Sequence, residues 1–389
     1  MTASAPAPAP EPPIRLGMVG GGQGAFIGAV HRIAARLDGH FTLTAGALAA
    51  TPEKAQASGA ALGLAPDRIY DDYTAMARRE GRLKEGIEAV AIVTPNHLHA
   101  PVARAFLARG IHVICDKPMT ASLADAKRLA TAAAKFGALF VLTHNYSAYP
   151  MVRQARAMVA AGALGRIRVI QVEYAQDWLS GPLEQTGQKQ AGWRTDPARS
   201  GGGGAIGDIG THAFQLASFV TGLAPEAILA DLTAQVPGRR VDDNAQVLLR
   251  YPEGARGMLW ASQVAPGNEN ALRLRVYGDR GGLDWAQEMP ERLWHAPLGE
   301  APRLLTRGGP AMGAEAARLA RIPPGHPEGY LEGFANIYAE AAALIRAHRA
   351  GTSPDPAVTA PGLADGLAGM AFVDACLRSS ARGGTWITL

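Results

Sequence analysis

The sequence predicts an α/β protein in which an N-terminal domain with a parallel sheet precedes an α+β domain with a large, mostly antiparallel open sheet. From Ile14 to about Thr143, short apolar runs alternate with helical stretches, which is the pattern of βαβ units. From about 225 to 298, strand-like runs follow one another with only turns between them, which indicates hairpins. The first pattern predicts a parallel sheet in the N-terminal region, and the second predicts a mostly antiparallel sheet in the C-terminal region.

The length of 389 residues allows two to three domains with buried cores. Residues 1–13 consist mainly of alanine and proline, and we expect them to form a disordered tail because such segments stay extended. The first domain is then expected over 14–143 and the second over 144–389.

The first domain reads as five strands with helices between them. Ser122 and Asp125 form a capping-box pattern that begins one of these helices, and Gly137 follows its end. The predicted strands are IRLGMVG at 14–20, FTLTAGAL at 41–48, EAVAIV at 88–93, IHVICD at 111–116 and ALFVLTH at 138–144.

The second domain is expected to begin with a helix near 150–161, a long strand at 165–178 and a helix near 208–221. Turn signals at 252–254 and 278–282 separate strands of a meander. The segment 299–326 reads as irregular, and two helices are predicted at 327–349 and 362–381. The predicted strands of the meander lie at 227–236, 244–251, 257–264, 271–278 and 282–286.

Composition excludes several classes of function. The net charge of +4 is small for this length, and no run of five basic residues occurs, so no nucleic-acid partner is expected. Two cysteines exclude a disulfide scaffold and a cysteine-cluster zinc site. Without an apolar run of about 18 residues or a signal-peptide pattern, we expect a soluble, cytoplasmic protein with no membrane contact.

A glycine-rich turn, VGGGQGAFIG at 19–28, follows the first strand and fits G-x-G-x-x-G/A. Glycine lets a pyrophosphate approach the backbone, and the helix N-terminus supplies free N–H donors. The alternative is a glycine-rich turn without a ligand, but the strand–turn–helix context favours a dinucleotide. The expected contacts are Gly20, Gly22, Gly24, Ala25, Phe26 and Ile27.

The end of the second strand leaves the choice between NAD and NADP open. An acid there would bind the adenosine ribose of NAD, but Ala47 to Thr51 contain neither an acid nor an arginine. We therefore expect Ala49 and Thr51 to contact the cofactor without deciding between NAD and NADP.

The third strand ends in VTPNHLHAP at 93–101, which places polar groups at the carboxyl edge of the parallel sheet. Thr94, Pro95 and Asn96 are expected to contact the cofactor, with His99 close to the nicotinamide. The alternative is an ordinary polar turn. His97 and His99 as a metal pair are disfavoured because no cysteine or carboxylate stands nearby.

The fourth strand is followed by Cys115-Asp116-Lys117-Pro118. Only six of the 38 basic residues are lysines, so a lysine at a sheet edge stands out from the arginines that carry most positive charge. An ammonium is a compact donor with an adaptable pKa, which suits alkoxide or proton chemistry. Lys117 could otherwise be a solvated surface residue, and Cys115 is expected in the core.

The motif SGGGGAIGDIGTHAF at 200–214 places Asp208 and His212 four residues apart, so on a helix they share a face. A carboxylate beside an imidazole suits a general base with an orienting group. Asp208 as a helix cap, His212 as a core histidine, and a metal site formed with His144 or His326 remain alternatives; we predict no metal.

Taken together, these motifs resemble the Gfo/Idh/MocA family of sugar and inositol oxidoreductases over about 14–389. The resemblance implies an N-terminal Rossmann domain and a second-domain open sheet that forms a homodimer or homotetramer. It also implies Lys117, Asp208 and His212 as the catalytic group. Asp116 stands where the family has glutamate, so a cofactor contact by this carboxylate is left open. The stretches 192–204 and 326–330 are similar to members that act on pyranoses and inositols.

The expected activity is that of an NAD-dependent dehydrogenase, with NADP as the alternative, acting on a hydroxyl-bearing carbon of a pyranose, glycoside or inositol. His212 would accept the hydroxyl proton, Lys117 would bind that oxygen, and Asp208 would orient the group. The alternatives are a redox-neutral glycoside-processing enzyme with tightly bound NAD, a non-catalytic dinucleotide-binding sensor, and a metal-dependent sugar isomerase or hydrolase.

Further residues are expected to bind the carbohydrate, because carboxylates accept hydroxyl protons and indoles cover apolar ring faces. Each tryptophan could instead anchor the core, Arg194 could pair with Asp196, and His326 could cap the following helix. His144 and Asn145 end the fifth strand and could face the cleft, Asn145 toward the cofactor. The remaining substrate candidates are Tyr146, Asp177, Trp178, Trp193, Arg194 and His326, beside the catalytic group.

Overall fold

The structure is a computed structural model that describes residues 11–389. Most of the predicted Ala/Pro tail, residues 1–10, lies outside the described residues. Two sheets organise the described chain: a five-stranded sheet in the order β2-β1-β3-β4-β5 and a nine-stranded sheet in the order β13-β12-β11-β10-β6-β9-β8-β7-β14. Their strands are β1 (Ile14–Gly20), β2 (Phe41–Ala47), β3 (Ala89–Val93), β4 (His112–Cys115), β5 (Phe140–Leu142), β6 (Ile167–Ala175), β7 (Ala227–Thr233), β8 (Asn244–Arg250), β9 (Arg256–Ser262), β10 (Ala271–Gly278), β11 (Gly281–Ala286), β12 (Arg292–Pro297), β13 (Arg303–Thr306) and β14 (Ile387–Thr388).

Twelve α-helices, apart from short 3₁₀ turns and one π-helical turn, connect and cover these sheets in the described residues. They are α1 (Phe26–Leu37), α2 (Pro52–Ala61), α3 (Tyr73–Glu80), α4 (His99–Leu107), α5 (Leu123–Phe136), α6 (Pro150–Ala160), α7 (Lys189–Arg194), α8 (Pro197–Ser200), α9 (Thr211–Thr221), α10 (Ala314–Ala317), α11 (Tyr330–Ala350) and α12 (Leu363–Ser380).

Every strand pairing of the first sheet is parallel, which confirms the prediction from the alternating βαβ pattern. Burial explains the sequence signal: β3 is buried along its whole length and therefore reads as a continuous apolar run. The predicted cap of α5 is present, because Ser122 Oγ accepts from the N–H of Asp125 at 3.1 Å. Gly137 ends this helix in the left-handed conformation.

The second sheet is antiparallel except for the pairing of β6 with β9, which confirms the mostly antiparallel prediction. The predicted turns at 252–254 and 278–282 join β8 to β9 and β10 to β11. Alternation is clear in β8, where Ala245, Val247 and Leu249 are buried while Leu248 on the other face is half exposed. One face of this sheet thus packs on helices and the other remains open.

The prediction that 299–326 is irregular was wrong in part. Residues Arg303–Thr306 form β13, which pairs with β12 at the sheet edge, and Ala314–Ala317 form the short helix α10. Proline and glycine residues are frequent around both elements, so the sequence of this segment indicated a loop. The strand β13 is only four residues long and mostly exposed, so it carries no buried apolar alternation.

The two C-terminal helices return to the first sheet. Phe334, Ile337, Tyr338 and Ile345 of α11 join the same buried cluster as the residues of β1 and α1. The helix α12 contacts α5 on one side and β7 on the other. These helices therefore tie the two sheets together and fix the space between them.

Across residues 11–389, no helix combines the length and apolar character that crossing a membrane requires.

Candidate active site

A cavity of about 1230 Å³ lies where the carboxyl ends of the first sheet's strands meet the second sheet. Residues after β1, β2, β3, β4 and β5 line it, as expected for a ligand site in an open parallel sheet. The far wall comes from β6, from the segment 176–212 and from the starts of β10 and α11. Its volume exceeds the range of roughly 300–1,000 Å³ typical of one small ligand, which leaves room for a cofactor and a substrate.

The glycine-rich turn forms one end of this cavity. Gly20 and Gly21 adopt φ values of +80° and +73°, which favour glycine. A Cβ on Gly22 would lie 2.6 Å from the carbonyl oxygen of Leu48, so this position is closed to larger residues. Ala25 precedes α1 without a side-chain cap, which leaves the first N–H groups of the helix free. Glycine close-packing and an uncapped helix N-terminus together fit a dinucleotide pyrophosphate.

The adenosine end of the cavity lies beyond β2. Ala49 and Thr51 line it as predicted, together with Lys54. Carboxylates do reach this end, but from the loop before α3 through Asp71 and Asp72 rather than from β2 itself. Sequence reasoning missed them because this loop is far from β2 along the chain.

The turn after β3 contributes Thr94, Pro95 and Asn96 to the wall. Asn96 Nδ2 donates to the carbonyl oxygen of Ser200 at 2.8 Å, so its amide also joins the two halves of the chain. The turn after β3 therefore lines the cavity at the carboxyl edge of the parallel sheet, where the sequence predicted it.

His99, which was predicted to lie close to the nicotinamide, is not among the residues that line the cavity. Its ring is buried, with Nδ1 2.7 Å from the carbonyl oxygen of Pro118 and Nε2 2.8 Å from that of Thr94. Both ring nitrogens are thus engaged by backbone, and the side chain does not line the cavity. His99 instead connects the turn after β3 to the turn after β4.

Lys117 and Asp208 form the centre of the site. Lys117 Nζ donates to Asp208 Oδ1 and to the Asp208 carbonyl oxygen, each at 2.7 Å. The other carboxylate oxygen, Oδ2, accepts from Arg194 Nε at 3.1 Å and from Gln263 Nε2 at 2.9 Å. Burial alone would raise the pKa of Asp208, but Lys117 and then Arg194 outweigh it and hold this pKa well below its usual range. Asp208 is therefore a fixed anion.

The next carboxylate along the wall is Asp116, which also lines the cavity. Its Oδ1 accepts from the backbone N–H of Lys117 at 2.9 Å and from Thr143 Oγ1 at 3.1 Å. These bonds join the turn after β4 to the end of β5.

The glycine-rich segment before Asp208 is folded around a buried carboxylate. Asp242 accepts from the N–H groups of Gly204 at 2.7 Å and Ile206 at 2.8 Å, and so caps the helical segment that carries Asp208 and His212. A Cβ on Gly204 would lie 1.9 Å from the Asp242 carbonyl oxygen, so only glycine fits. Asp242, rather than Asp208, is thus the capping residue.

His212 lines the cavity from α9, one turn after Asp208. Its Nδ1 lies 3.5 Å from Nδ1 of His144, and its ring meets that of Tyr146 edge-on with centroids 4.9 Å apart. Burial, followed by the charge of Lys117, holds the pKa of His212 well below its usual value. The imidazole is therefore neutral.

A network of tyrosine hydroxyls and amides lines the wall opposite the first sheet. Tyr146 and Tyr174 hydroxyls lie 2.7 Å apart, and Tyr174 donates to Asn270 Oδ1 at 2.7 Å. The same Oδ1 accepts from Gln176 at 2.8 Å, while Asn270 Nδ2 donates to Gln287 at 3.0 Å. Of these residues only Tyr146 was predicted. The others were missed because the pairing of β6 with β10, which brings Gln176 beside Asn270, is distant in sequence.

The helix α7 contributes an aromatic and cationic cluster. Trp193 and Arg194 line the cavity as predicted, and the Arg194 guanidinium lies 4.3 Å from the Trp193 ring centroid. Trp178 also lines it and donates from Nε1 to Gln176 at 3.0 Å. The tryptophans therefore face the cavity rather than the core.

Three further predicted residues do not line the cavity: Gly24, Asp177 and His326. Gly24 shapes the turn through a φ of +76°. Asp177 points to the opposite side of the chain from its neighbours and accepts from the N–H of Gly267 at 3.3 Å. His326 is exposed, and the segment reaches the cavity through Tyr330 instead. Asn145, in contrast, lines the cavity.

Within the part of the chain that the structure describes, no group of three or more histidine, cysteine, aspartate or glutamate side chains could hold a metal ion.

Two models of known protein families match separate parts of the chain. Residues 14–144 match the model described as "Oxidoreductase family, NAD-binding Rossmann fold", and residues 152–284 match the Gfo/Idh/MocA C-terminal domain. The match of the first half confirms the predicted NAD-binding Rossmann domain.

Three relatives extend this result over most of the chain. An oxidoreductase from Sinorhizobium meliloti is 58% identical, with 97% of this chain and 100% of that one covered and a TM-score of 0.89. An inositol dehydrogenase homologue from Azotobacter vinelandii, solved with NADH and myo-inositol, is 34% identical over 97% and 98% of the two chains, with a TM-score of 0.90. Levoglucosan dehydrogenase from Pseudarthrobacter phenanthrenivorans is 28% identical over 72% of this chain and 75% of its own.

Proposed function

The chain belongs to the Gfo/Idh/MocA family of oxidoreductases, and we propose that it is an NAD-dependent dehydrogenase of a neutral cyclic polyol. The substrate class comprises pyranose sugars, their glycosides and inositols. The reaction interconverts a CH–OH group and a carbonyl, which releases or consumes one hydride equivalent and one proton.

One observation carries this proposal: the ammonium of Lys117 lies 2.7 Å from the carboxylate of Asp208 in the same cavity as the glycine-rich turn. An ammonium has three donors, and Lys117 uses two of them on Asp208. The third has no partner among residues 11–389 and would donate to an oxygen of a substrate bound in the cavity. Asp208 thus aims a cation at the position where a substrate hydroxyl would gain alkoxide character.

Bound NAD supplies the hydride acceptor, held by the glycine-rich turn and the uncapped start of α1. His212 takes the hydroxyl proton, since its imidazole is neutral and lines the cavity beside Lys117. Asp208 stays ionised and keeps the Lys117 chain extended. A base and a cation thereby act on one oxygen.

The wall opposite the first sheet supports a neutral, hydroxyl-rich substrate. Tyr146, Asn270 and Gln287 present hydroxyl and amide groups that both donate and accept, as vicinal hydroxyls require. Trp178 and Trp193 supply aromatic faces for the apolar side of a ring. The relatives named with myo-inositol and levoglucosan act within, or bind, this same class of compound.

The test measures reduced-nicotinamide absorbance with NAD and with NADP against a panel of pyranoses, methyl glycosides and inositols. With the active substrate, Lys117→Met is expected to lower kcat by about 10²–10⁴-fold. Lys127→Met, an exposed lysine on α5, is the matched control and should leave turnover unchanged.

Wild-type turnover by Lys117→Met would overturn the assignment. The absence of any change in reduced-nicotinamide absorbance across the panel would also count against the proposal. In that case, NAD released only when the protein is denatured would favour a redox-neutral enzyme. Reversible NAD binding without turnover would favour a sensor.

A further inference from the structure

The proposed catalytic base, His212, is in contact with a second buried histidine from another part of the chain. His144 follows β5, His212 lies on α9, and their Nδ1 atoms are 3.5 Å apart. The rings are nearly perpendicular, at 84°, and only 1% and 6% of the two residues is exposed. Because one nitrogen must donate and the other accept, this contact couples the tautomers of the two rings.

We propose that His144 is a positioning residue whose Nδ1 lone pair accepts the Nδ1–H of His212 and leaves Nε2 of His212 unprotonated. The proposal rests on the proposed function, in which His212 takes the hydroxyl proton. His144 would then hold His212 in one tautomer and orientation, which is one of the two roles of the carboxylate in a catalytic triad.

The opposite arrangement would leave the cavity without a base. Since Nδ1 of His212 is engaged with His144, Nε2 is the ring nitrogen left for a substrate oxygen. If His144 donated, that Nε2 would carry a hydrogen and could only donate. Asp208 cannot replace it, because its two carboxylate oxygens already accept from Lys117, Arg194 and Gln263. The unshared pair on His212 Nε2 is therefore the acceptor that the oxidation needs.

The surroundings keep His144 in the state that this role requires. Burial, followed by the charge of Lys117, lowers the pKa of His144 to about 3, so the ring is neutral. Its backbone is fixed on both sides, since its N–H donates to Leu142 at 2.9 Å and its carbonyl accepts from the Ser147 hydroxyl at 2.7 Å.

The direct test is the tautomer of His212 in the full-length protein. Two-bond ¹⁵N–¹H correlation spectra of histidine-labelled protein with bound NAD, recorded near neutral pH, distinguish Nδ1–H from Nε2–H rings. Signals are assigned with His212→Gln and His144→Gln. We expect His212 to carry its hydrogen on Nδ1 and His144 on Nε2. The reverse pair of tautomers would overturn the proposal, whatever the enzyme's substrate.

Kinetics supply a second test. His144→Leu removes the acceptor at similar volume and should lower kcat about tenfold to a hundredfold, with KM changed little. His144→Gln, whose amide oxygen can still accept, should recover most of the loss.

A purely structural effect would lower kcat equally in His144→Leu and His144→Gln, and it would also lower the free energy of unfolding. His112→Leu, at a buried histidine outside the cavity, is the control for that effect. Equal kcat values for His144→Leu and the wild type would contradict the proposal. Because the spectra need no turnover, a failure of the proposed function can be told apart from a failure of this one.

Discussion

Arg194 reaches across the site to Asp208 and leaves its neighbour in sequence, Asp196, to Arg240. Arg194 Nε lies 3.1 Å from Asp208 Oδ2, while Asp196 Oδ1 accepts from Arg240 at 2.9 Å. Arg194 and Lys117 thus bind opposite oxygens of one carboxylate. The guanidinium fixes the plane of that carboxylate and, through it, the direction of the ammonium.

We predict that Arg194→Met lowers kcat by about tenfold to a hundredfold, because a charge-assisted hydrogen bond to a largely buried carboxylate is lost. NAD affinity should stay within about twofold, since Arg194 lies on the substrate side. Steady-state kinetics and an NADH fluorescence titration measure the two effects.

Arg240→Met removes an arginine of the same region that is more exposed and serves as the control. A loss confined to substrate KM, with kcat intact, would mean that Arg194 binds substrate without positioning Asp208.

A second prediction concerns the glycine-rich turn. Gly22→Ala should weaken NAD binding by about tenfold or more, because the new methyl group would meet the Leu48 carbonyl oxygen at 2.6 Å and Ser58 Oγ at 2.7 Å. Gly63→Ala, at a φ of +71° with open space around it, carries only backbone strain and should bind NAD normally. Equal dissociation constants for Gly22→Ala and the wild type would argue against the turn as the pyrophosphate site.

Local patterns were sufficient to predict the parallel sheet and the meander, and to single out Asp208 and His212, which line one cavity. Each depends on signals within one strand, turn or helix: apolar runs for β3, a capping box for α5, and the four-residue spacing of Asp208 and His212. These signals survive folding because neighbouring residues in sequence remain neighbours in space.

What the sequence did not reveal is set by contacts between distant segments. Asn270 meets Gln176 only because β10 pairs with β6, and Asp242 caps the segment before Asp208 from 38 residues away. His99 sits in the predicted turn, but its partner, the carbonyl of Pro118, comes from the next strand end. A residue's position at a sheet edge can thus be read locally, whereas the direction of its side chain depends on its distant partners.

A third prediction concerns acid stability. Burial lowers the pKa of His31 to about 4, and its Nδ1 lies 2.9 Å from the Tyr338 hydroxyl. The unfolded chain therefore binds a proton at this residue between pH 6.5 and about 4 that the folded protein does not, so stability falls as pH is lowered through that window. His31→Gln should remove up to about 3 kcal/mol of this pH dependence.

The measurement is the free energy of unfolding in urea at several pH values, compared as slopes rather than absolute stabilities. His97→Gln, at an exposed histidine, is the control. An unchanged slope for His31→Gln would show that His31 is not held neutral in the folded protein.

The open face of the second sheet is the remaining feature with a testable consequence. Leu248 and Met258 lie directly opposite each other on β8 and β9, each 46% exposed. Val169 and Tyr277 form an equivalent pair on β6 and β10, each 41% exposed. Neighbouring strands thus present apolar side chains on one continuous face, which in a monomer would be left against water. We therefore predict that this face joins copies of the chain into a homodimer or homotetramer.

The variant Leu248→Arg/Met258→Arg places two like charges side by side at the centre of this face, and burying them without partners would be costly. We expect sedimentation at micromolar concentration to show an oligomer for the wild type and a smaller species for the double variant. Leu62→Arg, at an exposed leucine of the first domain, should leave the mass unchanged. Because Leu248 and Met258 do not line the cavity, the double variant should still bind NAD. A monomeric wild type, or an oligomer that survives both arginines, would rule out this face as the interface.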